Sequence, residues 1–464
     1  MSYKDVRDFL DYLRKKDELK TCSREVDTRI EIAKVTDKSS KTNGPAILFT
    51  NVKGFQASVV TGLFGTIDRG FSMIESNKYD GYKKIANGLD NLISPKIVND
   101  GPCKEIIKIG QNINLHEIPV LLHHEKDGNY FITTANCRVK DPDTGISNTS
   151  INRIAVQGKD RLSIQSNAPH QLAVIAAKYL ARGKSCPIAM AIGLDPALLV
   201  AGACGIPPGI DEYEFAGGMR GAPVELVKCS TIEIEVPAAS ELVIEGEIVP
   251  GTEDGPMGKT EYADEGSFGE VSGYFGAHAS SPVIQVKAIT HRKDYIYHGF
   301  GTAEPPSEHQ IFDGIGMQAD VYVALKSVIP KELIGSIYTI SWSAVISIKK
   351  NRPGQARDII NTLLKKAGLK RVTIVDDDID AFNPVEVDWA VQFRSGPDDY
   401  IFTTELPAIE LDPMITTPPN LLKKIGIDAT IPLDGDKKGR IEILRDQGTA
   451  RYSSLDKVNL ANYI

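Results

Sequence analysis

Residues 148–170, NTSINRIAVQGKDRLSIQSNAPH, organise the reading of the whole chain. Asn148, Thr149, Ser150 and Arg153 put an amide, two small hydroxyls and a guanidinium within six positions, a density of polar groups that does not fill a core. NRIAVQG has the composition of a short strand. A helix is expected to follow, because Asn167 is a good N-cap, Pro169 suits a first turn, and HQLAVIAAKYLARG runs in helical residues to Gly183, a natural C-cap. His170 then stands at a helix N-terminus, where free N–H groups and the positive end of the dipole favour an anion such as a phosphate.

On both sides, from Ile106 to His298, the pattern repeats as short strands: ITTANCRVK, PIAMAIGL, VELVKCSTIEIEV, ELVIEGEIV and PVIQVKAITH. The helix after His170 is the main interruption, and the economical architecture for such a count is a partly open or split β-barrel. Before it, Val6, Phe9, Leu10 and Leu13 recur at helical spacing, AILFTNVKGF (46–55) suggests a strand entering a glycine turn, and Ile67–Ile93 is helix-like. Beyond it, a helix is expected over Pro305–Ile329, and RPGQARDIINTLLKKAG, RVTIVDDDIDAF and VEVDWAVQF alternate as in an α/β domain. The fold class is therefore α+β: an N-terminal α/β domain (1–105), a central split barrel (106–304), a C-terminal α/β domain (305–433) and a polar tail (434–464). Glu247–Gly266, about twenty residues with little apolar periodicity, is expected to be a long functional loop or lid.

Composition narrows the function. A net charge of −8 over 464 residues argues against a nucleic-acid partner, which needs a basic face. The longest apolar region, Pro187–Ile206, is broken by Asp195 and Pro196 and makes no membrane span. The N-terminus lacks an apolar signal core, and the six cysteines show no CxxC pair or zinc-like spacing, which points to reduced thiols in a cytoplasmic protein.

Two constellations carry chemistry. Asn148, His170 and Glu212, the last in IPPGIDEYEFAGG, offer an oxygen, a nitrogen and a carboxylate, a set that suits Mg²⁺ or Mn²⁺ bridging to a phosphate. Glu265 and Glu270, in DEGSFGEVSGYFG, are separated by a glycine-containing turn that lets both converge on one cavity. With Arg153 between them, one carboxylate would be held ionised while the other is tuned for proton transfer.

NTSINR, the PH before the next helix, GIDEYEFAGGMRGAPVELVKC, SELVIEGE, EGSFGEVSGY, ISIKK with PGQA, VDDDIDAFNPVEVDWA and KKIGIDAT occur in one order, and together they resemble the UbiD-type family of reversible decarboxylases. The resemblance implies prenylated FMN as cofactor, supplied by a flavin prenyltransferase, with Mn²⁺ or Mg²⁺ held by Asn148, His170 and Glu212 and with K⁺ or Na⁺ as a further cation. It implies Arg153, Glu265 and Glu270 as catalytic residues, Glu265 transferring the proton. Ser150, Ile151, Asn152 and Arg153 would contact the cofactor, and Lys350 would meet its phosphate. It also implies a FMN-binding barrel and a homo-oligomer, a dimer or dimer-based assembly, built through the C-terminal domain. The substrates would be a small carboxylic acid and, in reverse, CO₂. Asn152 departs from the small residue of ferulic acid decarboxylases, and the loop before Glu265 is longer than theirs, so the pocket lining is expected to differ. That loop and Gly299–Gln310 are the candidate lining. The expected function is non-oxidative decarboxylation of an unsaturated or (hetero)aromatic acid. The alternatives are decarboxylation of a phosphorylated mevalonate-derived acid and non-catalytic flavin binding.

Overall fold

The computed structural model describes residues 3–166, 169–276, 280–302, 304–366, 368–408, 411–415 and 420–436, with isolated positions 444, 459 and 461. Asn167, the expected N-cap, and most of the tail from residue 437 lie outside the described residues. Two compact units form: 1–323 with 339–342 and 409–420, and the remainder from 324 onward.

In the first unit the chain opens with the helix Val6–Lys15, whose N-cap Asp5 accepts from the Asp8 amide. Its buried face is Val6, Phe9, Leu10 and Leu13, the apolar stripe of the 3.6-residue period. Leu19–Cys22, Ala46–Phe49 and Ser58–Thr61 then build a sheet whose fourth strand, Ile296–His298, arrives from far along the chain and pairs parallel with Ser58–Val60. The helix-like stretch 67–93 holds two helices, Ile67–Ser72 and Gly81–Asp90. Between them the Asn77 side chain accepts from the amides of Tyr79 (2.9 Å) and Asp80 (3.0 Å), a local turn that competes with helix continuation.

The central sheet has ten strands and curls on itself. Its path runs Phe131–Ile132, Ile154–Val156, Arg161–Ile164, Ser280–His291, Leu242–Ile248, Cys186–Ile192, Asn136–Lys140 and Ser147–Ile151; Tyr262–Asp264 and Ile106–Ile109 also pair with Ser280–His291. Cys137, Val139, Ile154, Leu162, Met190, Ile244 and Ile284 fill one core with Leu172, Ala173 and Ala176 of the helix Gln171–Leu180. That helix ends as the sequence suggests, with Gly183 at φ +66° and the Lys184 amide returning to Tyr179 O at 3.0 Å.

Two expectations are corrected. VELVKCSTIEIEV is not a barrel strand but two strands, Glu225–Lys228 and Glu235–Pro237, in a separate three-stranded sheet with Lys96–Ile97. The buried Glu245 side chain accepts from the amides of Ser230 (2.8 Å) and Thr231 (2.7 Å) and fixes the turn between them. The expected lid is a β-hairpin, Pro250–Gly255 against Gly258–Thr260, whose turn buries Met257 completely. Tyr262 Oη pins that turn, accepting from Met257 N at 3.1 Å and donating to Gly258 O at 2.8 Å. Its first strand is exposed at all six positions, so no apolar alternation announces it.

The helix Glu308–Leu325 begins in the first unit. The second unit holds a five-stranded sheet ordered Ile334–Ile340, Ser343–Ile348, Arg371–Asp376, Leu421–Ala429, Tyr400–Pro407, with the helices Gln355–Lys366 and Pro384–Arg394. Among the described residues no helix is long and apolar enough to cross a membrane.

Candidate active site

Asn148, Thr149 and Ser150 lie on the strand Ser147–Ile151, which pairs antiparallel with Asn136–Lys140 and sets Arg138 opposite Thr149. Arg138 is buried and grips Asp211 with two parallel bonds (2.9 and 2.6 Å) while donating to Thr149 Oγ1 at 2.7 Å. Asp211 is in turn the N-cap of the helix Glu212–Arg220. This bidentate pair clamps the helix start against the strand, and removing one partner of such a buried pair typically costs ~3–5 kcal/mol.

The clamp delivers Glu212 to Asn148. Glu212 Oε1 accepts from Asn148 Nδ2 at 2.9 Å, and Oε2 accepts from the Thr149 amide at 2.6 Å. Burial pushes the Glu212 carboxyl up to about 7, against the downward pull of the Thr149 N–H. Asn148 Oδ1 is buried with no hydrogen-bond partner among the described residues, which is uncommon for an amide oxygen. His170, the N-cap residue of the helix Gln171–Leu180, is exposed and lines the same cleft. An orphaned amide oxygen, a buried carboxylate and an available imidazole fit a hard divalent cation. Among the described residues, no cluster of three or more His, Cys, Asp or Glu side chains has metal-binding geometry.

Ser150 Oγ lies 2.8 Å from Asn152 Oδ1, Asn152 Nδ2 donates to Gln165 O at 3.1 Å, and the Ile151 amide donates to Gly202 O at 3.0 Å. These bonds fix the approach to Arg153. Its guanidinium is shared by two carboxylates: Nε donates to Glu265 Oε1 at 3.1 Å, Nη2 pairs with the same oxygen, and Nη1 pairs with Glu270 Oε1. Glu265 is wholly buried, and its Oε2 has no hydrogen-bond partner among the described residues. Arg153 and Glu270 face a cavity of about 620 Å³; Glu265 stands behind them, outside its lining. Phe268, between the two glutamates, places its ring 5.5 Å from the Arg153 guanidinium carbon.

Gly266 makes this cluster possible. It adopts φ +76°, and a Cβ built on it would lie 2.5 Å from Gly128 Cα, so two backbones touch where Glu265 turns inward. The Gly128 amide donates to Ser267 O at 2.9 Å, closing the contact.

Lys350 belongs to the second unit, where its ammonium is 3.0 Å from both Thr430 Oγ1 and Asp436 Oδ2. From Gly299–Gln310 the cleft takes Phe300, Thr302 and His309; from Pro250–Thr260 it takes nothing among the described residues. Arg138, Asp211 and Asp313 were not legible as site residues, and His309 was so only as part of the candidate lining Gly299–Gln310. A lone arginine inside the strand pattern NCRVK and an Asp directly before a helical run were the available signals for the first two.

Three family models cover the chain: the 3-octaprenyl-4-hydroxybenzoate carboxy-lyase N-terminal domain over residues 10–89, its Rift-related domain over 96–305 and its C-terminal domain over 315–429. Among solved structures the chain is similar to the UbiD-class enzyme HmfF from Pelotomaculum thermopropionicum in complex with FMN, at 34% identity over 99% of this chain and 100% of that one, with TM-score 0.87. An evolved dimeric form of HmfF in complex with prFMN matches at 33% identity over the full length of both chains, TM-score 0.85. The vanillic acid decarboxylase of Sedimentibacter hydroxybenzoicus, in open form, matches at 29% identity over 95% of this chain and 94% of that one, TM-score 0.84.

Proposed function

The chain belongs to the UbiD family and is a decarboxylase of that class, and on that footing we propose that it removes CO₂, reversibly and without net oxidation, from an unsaturated or (hetero)aromatic carboxylic acid with the help of prenylated FMN. The observation that carries the proposal is the buried Glu265–Arg153–Glu270 cluster at the wall of one cavity. Prenylated flavin, when bound, supplies the electron sink that scission of a carbon–carboxylate bond needs.

The chain's own residues do the rest. Arg153, tethered by both glutamates, presents a fixed cation to an incoming carboxylate and orients it. The bond from carbon to the carboxylate breaks, CO₂ leaves, and the electron pair left behind must end in a C–H bond. Glu265 gives that proton by turning from behind Arg153 toward the cavity: its Oε2 is buried away from bulk water and has no hydrogen-bond partner among the described residues. Glu270 holds the opposite side of the guanidinium so that Arg153 does not follow Glu265 as it moves. In the carboxylating direction Glu265 takes the proton instead.

Asn148, Glu212 and His170 would hold Mn²⁺ or Mg²⁺ beside the cofactor phosphate, Ser150, Ile151 and Asn152 would border the cofactor, and K⁺ or Na⁺ would be a further cation. Lys350 remains a candidate phosphate contact. A flavin prenyltransferase would supply the cofactor. The domain limits 1–105, 106–304 and 305–433 are proposed as the working division. A homo-oligomer is proposed through the second unit, which exposes Val385, Phe393 and Phe402 at 76, 67 and 68%.

The lining also bears on substrate class. Phe268, Phe300 and Phe312 contribute aromatic wall, and Arg153 is the only Lys or Arg among the described lining residues. That combination suits a flat acid better than a phosphorylated one, which needs more than one cation. The test is protein co-expressed with a flavin prenyltransferase, purified with its flavin and offered a panel of unsaturated and aromatic acids. CO₂ release from at least one is expected, and none from a flavin-replete enzyme across the panel would overturn the proposal.

A further inference from the structure

Asp320, about three turns into the helix Glu308–Leu325, lines the same cavity as Arg153 and Glu270, and none of the roles above uses it. It is half-buried there, and its carboxylate has no hydrogen-bond or ion-pair partner among the described residues. Burial alone pushes its carboxyl up to about 6, so in neutral solution the group is mostly an anion that only accepts hydrogen bonds. A charge withdrawn from water without a partner costs free energy until something supplies the donors.

The backbone makes room for this carboxylate. It occupies the space where a β-carbon of residue 205 would stand, so any side chain in place of Gly205 would overlap it. One turn earlier on the helix, a Cβ built on Gly316 would lie 2.5 Å from Ala203 O. Two glycines, one on each element, let the helix and the loop 202–206 approach until Asp320 is held against that loop.

Its place along the cavity follows from two contacts. Gln310 Nε2 donates to Val271 O at 2.9 Å, next to Glu270, so the helix start belongs to the catalytic end. Asp320 comes ten residues after Gln310, a rise of about 15 Å. Burial, then the charges of Asp320 and Glu212, push the Cys204 thiol up, which sets both carboxylates near one buried thiol. Asp320 thus stands away from the proton-transfer cluster and toward the Asn148–Glu212 pair.

The chemistry of the wall narrows the ligand. The side chains of 202–206 carry no oxygen or nitrogen, whereas a hard cation takes about six or more oxygens. Among the described residues no three His, Cys, Asp or Glu side chains gather into a metal site. An anion is repelled by the charge itself. A neutral ligand that brings O–H donors is what fits. We propose that Asp320 is a cofactor-binding residue that accepts hydrogen bonds from the hydroxyl groups of the flavin's ribityl chain, the segment that runs from a ring beside Arg153 to a phosphate beside Asn148 and Glu212. The proposal rests on the flavin-dependent reading above and deepens it.

The test measures FMN binding to the full-length protein freed of flavin, by quenching of flavin fluorescence, and needs no turnover. The ligands are FMN and the analogues that each lack one hydroxyl of the chain. The wild type should bind at least one deoxy analogue about tenfold or more weaker than FMN, the weight of a hydrogen bond to a charged group. Asp320→Leu should lose about tenfold on FMN and cease to discriminate against that analogue, while Asp320→Asn, which keeps an acceptor oxygen, should recover part of the loss. Gly205→Ala, which pushes the carboxylate aside, should behave as Asp320→Leu does. The ratio between two ligands on one protein sample guards against a variant that folds only in part. A carboxylate without a donor to bind would merely repel the phosphate, so FMN held equally or more tightly by Asp320→Leu would overturn the proposal. Equal affinity of the wild type for FMN and every analogue, or a ratio unchanged in both Asp320→Leu and Gly205→Ala, would do the same and leave the flavin reading intact. A wild-type protein that binds no FMN would overturn both.

Discussion

Gly266→Ala is the sharpest probe of how the cluster is built, because the structure separates its two costs. A β-carbon at φ +76° meets the left-handed penalty, about 1–2 kcal/mol, and its contact with Gly128 at 2.5 Å adds an overpacking term of about 1–3 kcal/mol. Together they predict a loss of roughly 2–5 kcal/mol. Gly145→Ala is the control for the first term alone, since Gly145 has φ +73° and open space where the methyl would go. Gly128→Ala is the control for the second, since Gly128 has no positive φ and would collide with Gly266. Urea unfolding of the three variants, compared by midpoint at a common m-value, measures each term. Gly266→Ala should be the least stable, Gly145→Ala should retain full decarboxylation, and both variants at the Gly128–Gly266 contact should lose turnover because Glu265 is displaced. If Gly266→Ala falls within about 0.5 kcal/mol of wild type, the range of an ordinary surface change, the close approach does not set the position of Glu265.

Four further outcomes are expected. Glu265→Gln should keep its flavin yet lose about two orders of magnitude in both CO₂ release and solvent-deuterium incorporation, and a near-normal rate would move the proton to Glu270 or water. Glu212→Ala should emerge from gel filtration depleted in flavin and divalent metal together; wild-type ratios would refute the proposed site at Asn148, His170 and Glu212. Burial holds the His298 imidazole down at about 3, below the ordinary 6.5, so the folded protein keeps it neutral while the unfolded chain takes a proton. Its contribution is complete above pH 6.5 and is lost as pH falls toward 3, so His298→Leu should flatten acid unfolding in that window by up to about 5 kcal/mol, and an unaltered acid limb in urea titrations would refute this. If the second unit makes the proposed homo-oligomer, Val385→Asp with Phe393→Asp should give a monomer by light scattering, and a mass equal to that of the wild type would refute that interface.

The sequence showed the fold wherever one side chain pattern answered to one structural period. Val6, Phe9, Leu10 and Leu13 are the buried face of the first helix, and the apolar run around Met190 is a central strand. It failed where polar side chains did structural work: Ser147–Ile151 is a strand although it is SNTSI, because its neighbour Asn136–Lys140 and the Glu212 carboxylate take up its backbone. The hairpin from Pro250 was invisible because what anchors it is one residue, Met257, and one tyrosine hydroxyl. For the site, Glu265 and Glu270 stood out as a pair, but their meeting with Arg153 spans more than a hundred residues and is a tertiary fact. His309 falls in Gly299–Gln310, the segment expected to line the pocket, while Asp313 lies beyond it and nothing local said that it faces the cleft.

The strand Ile296–His298, which completes the sheet begun by Leu19–Cys22, has a consequence for synthesis. Ser58–Val60 leaves the ribosome about 235 residues before its parallel partner exists, a wait on the order of 10–50 s at ordinary elongation rates. For that interval the nascent chain carries an open, hydrogen-bonding sheet edge formed of Ser-Val-Val-Thr, the kind of template on which other chains pair. The first hundred residues expressed alone would keep that edge permanently, and aggregation of such a fragment, relieved when the chain is extended past His298, is the signature this topology leaves in the cell.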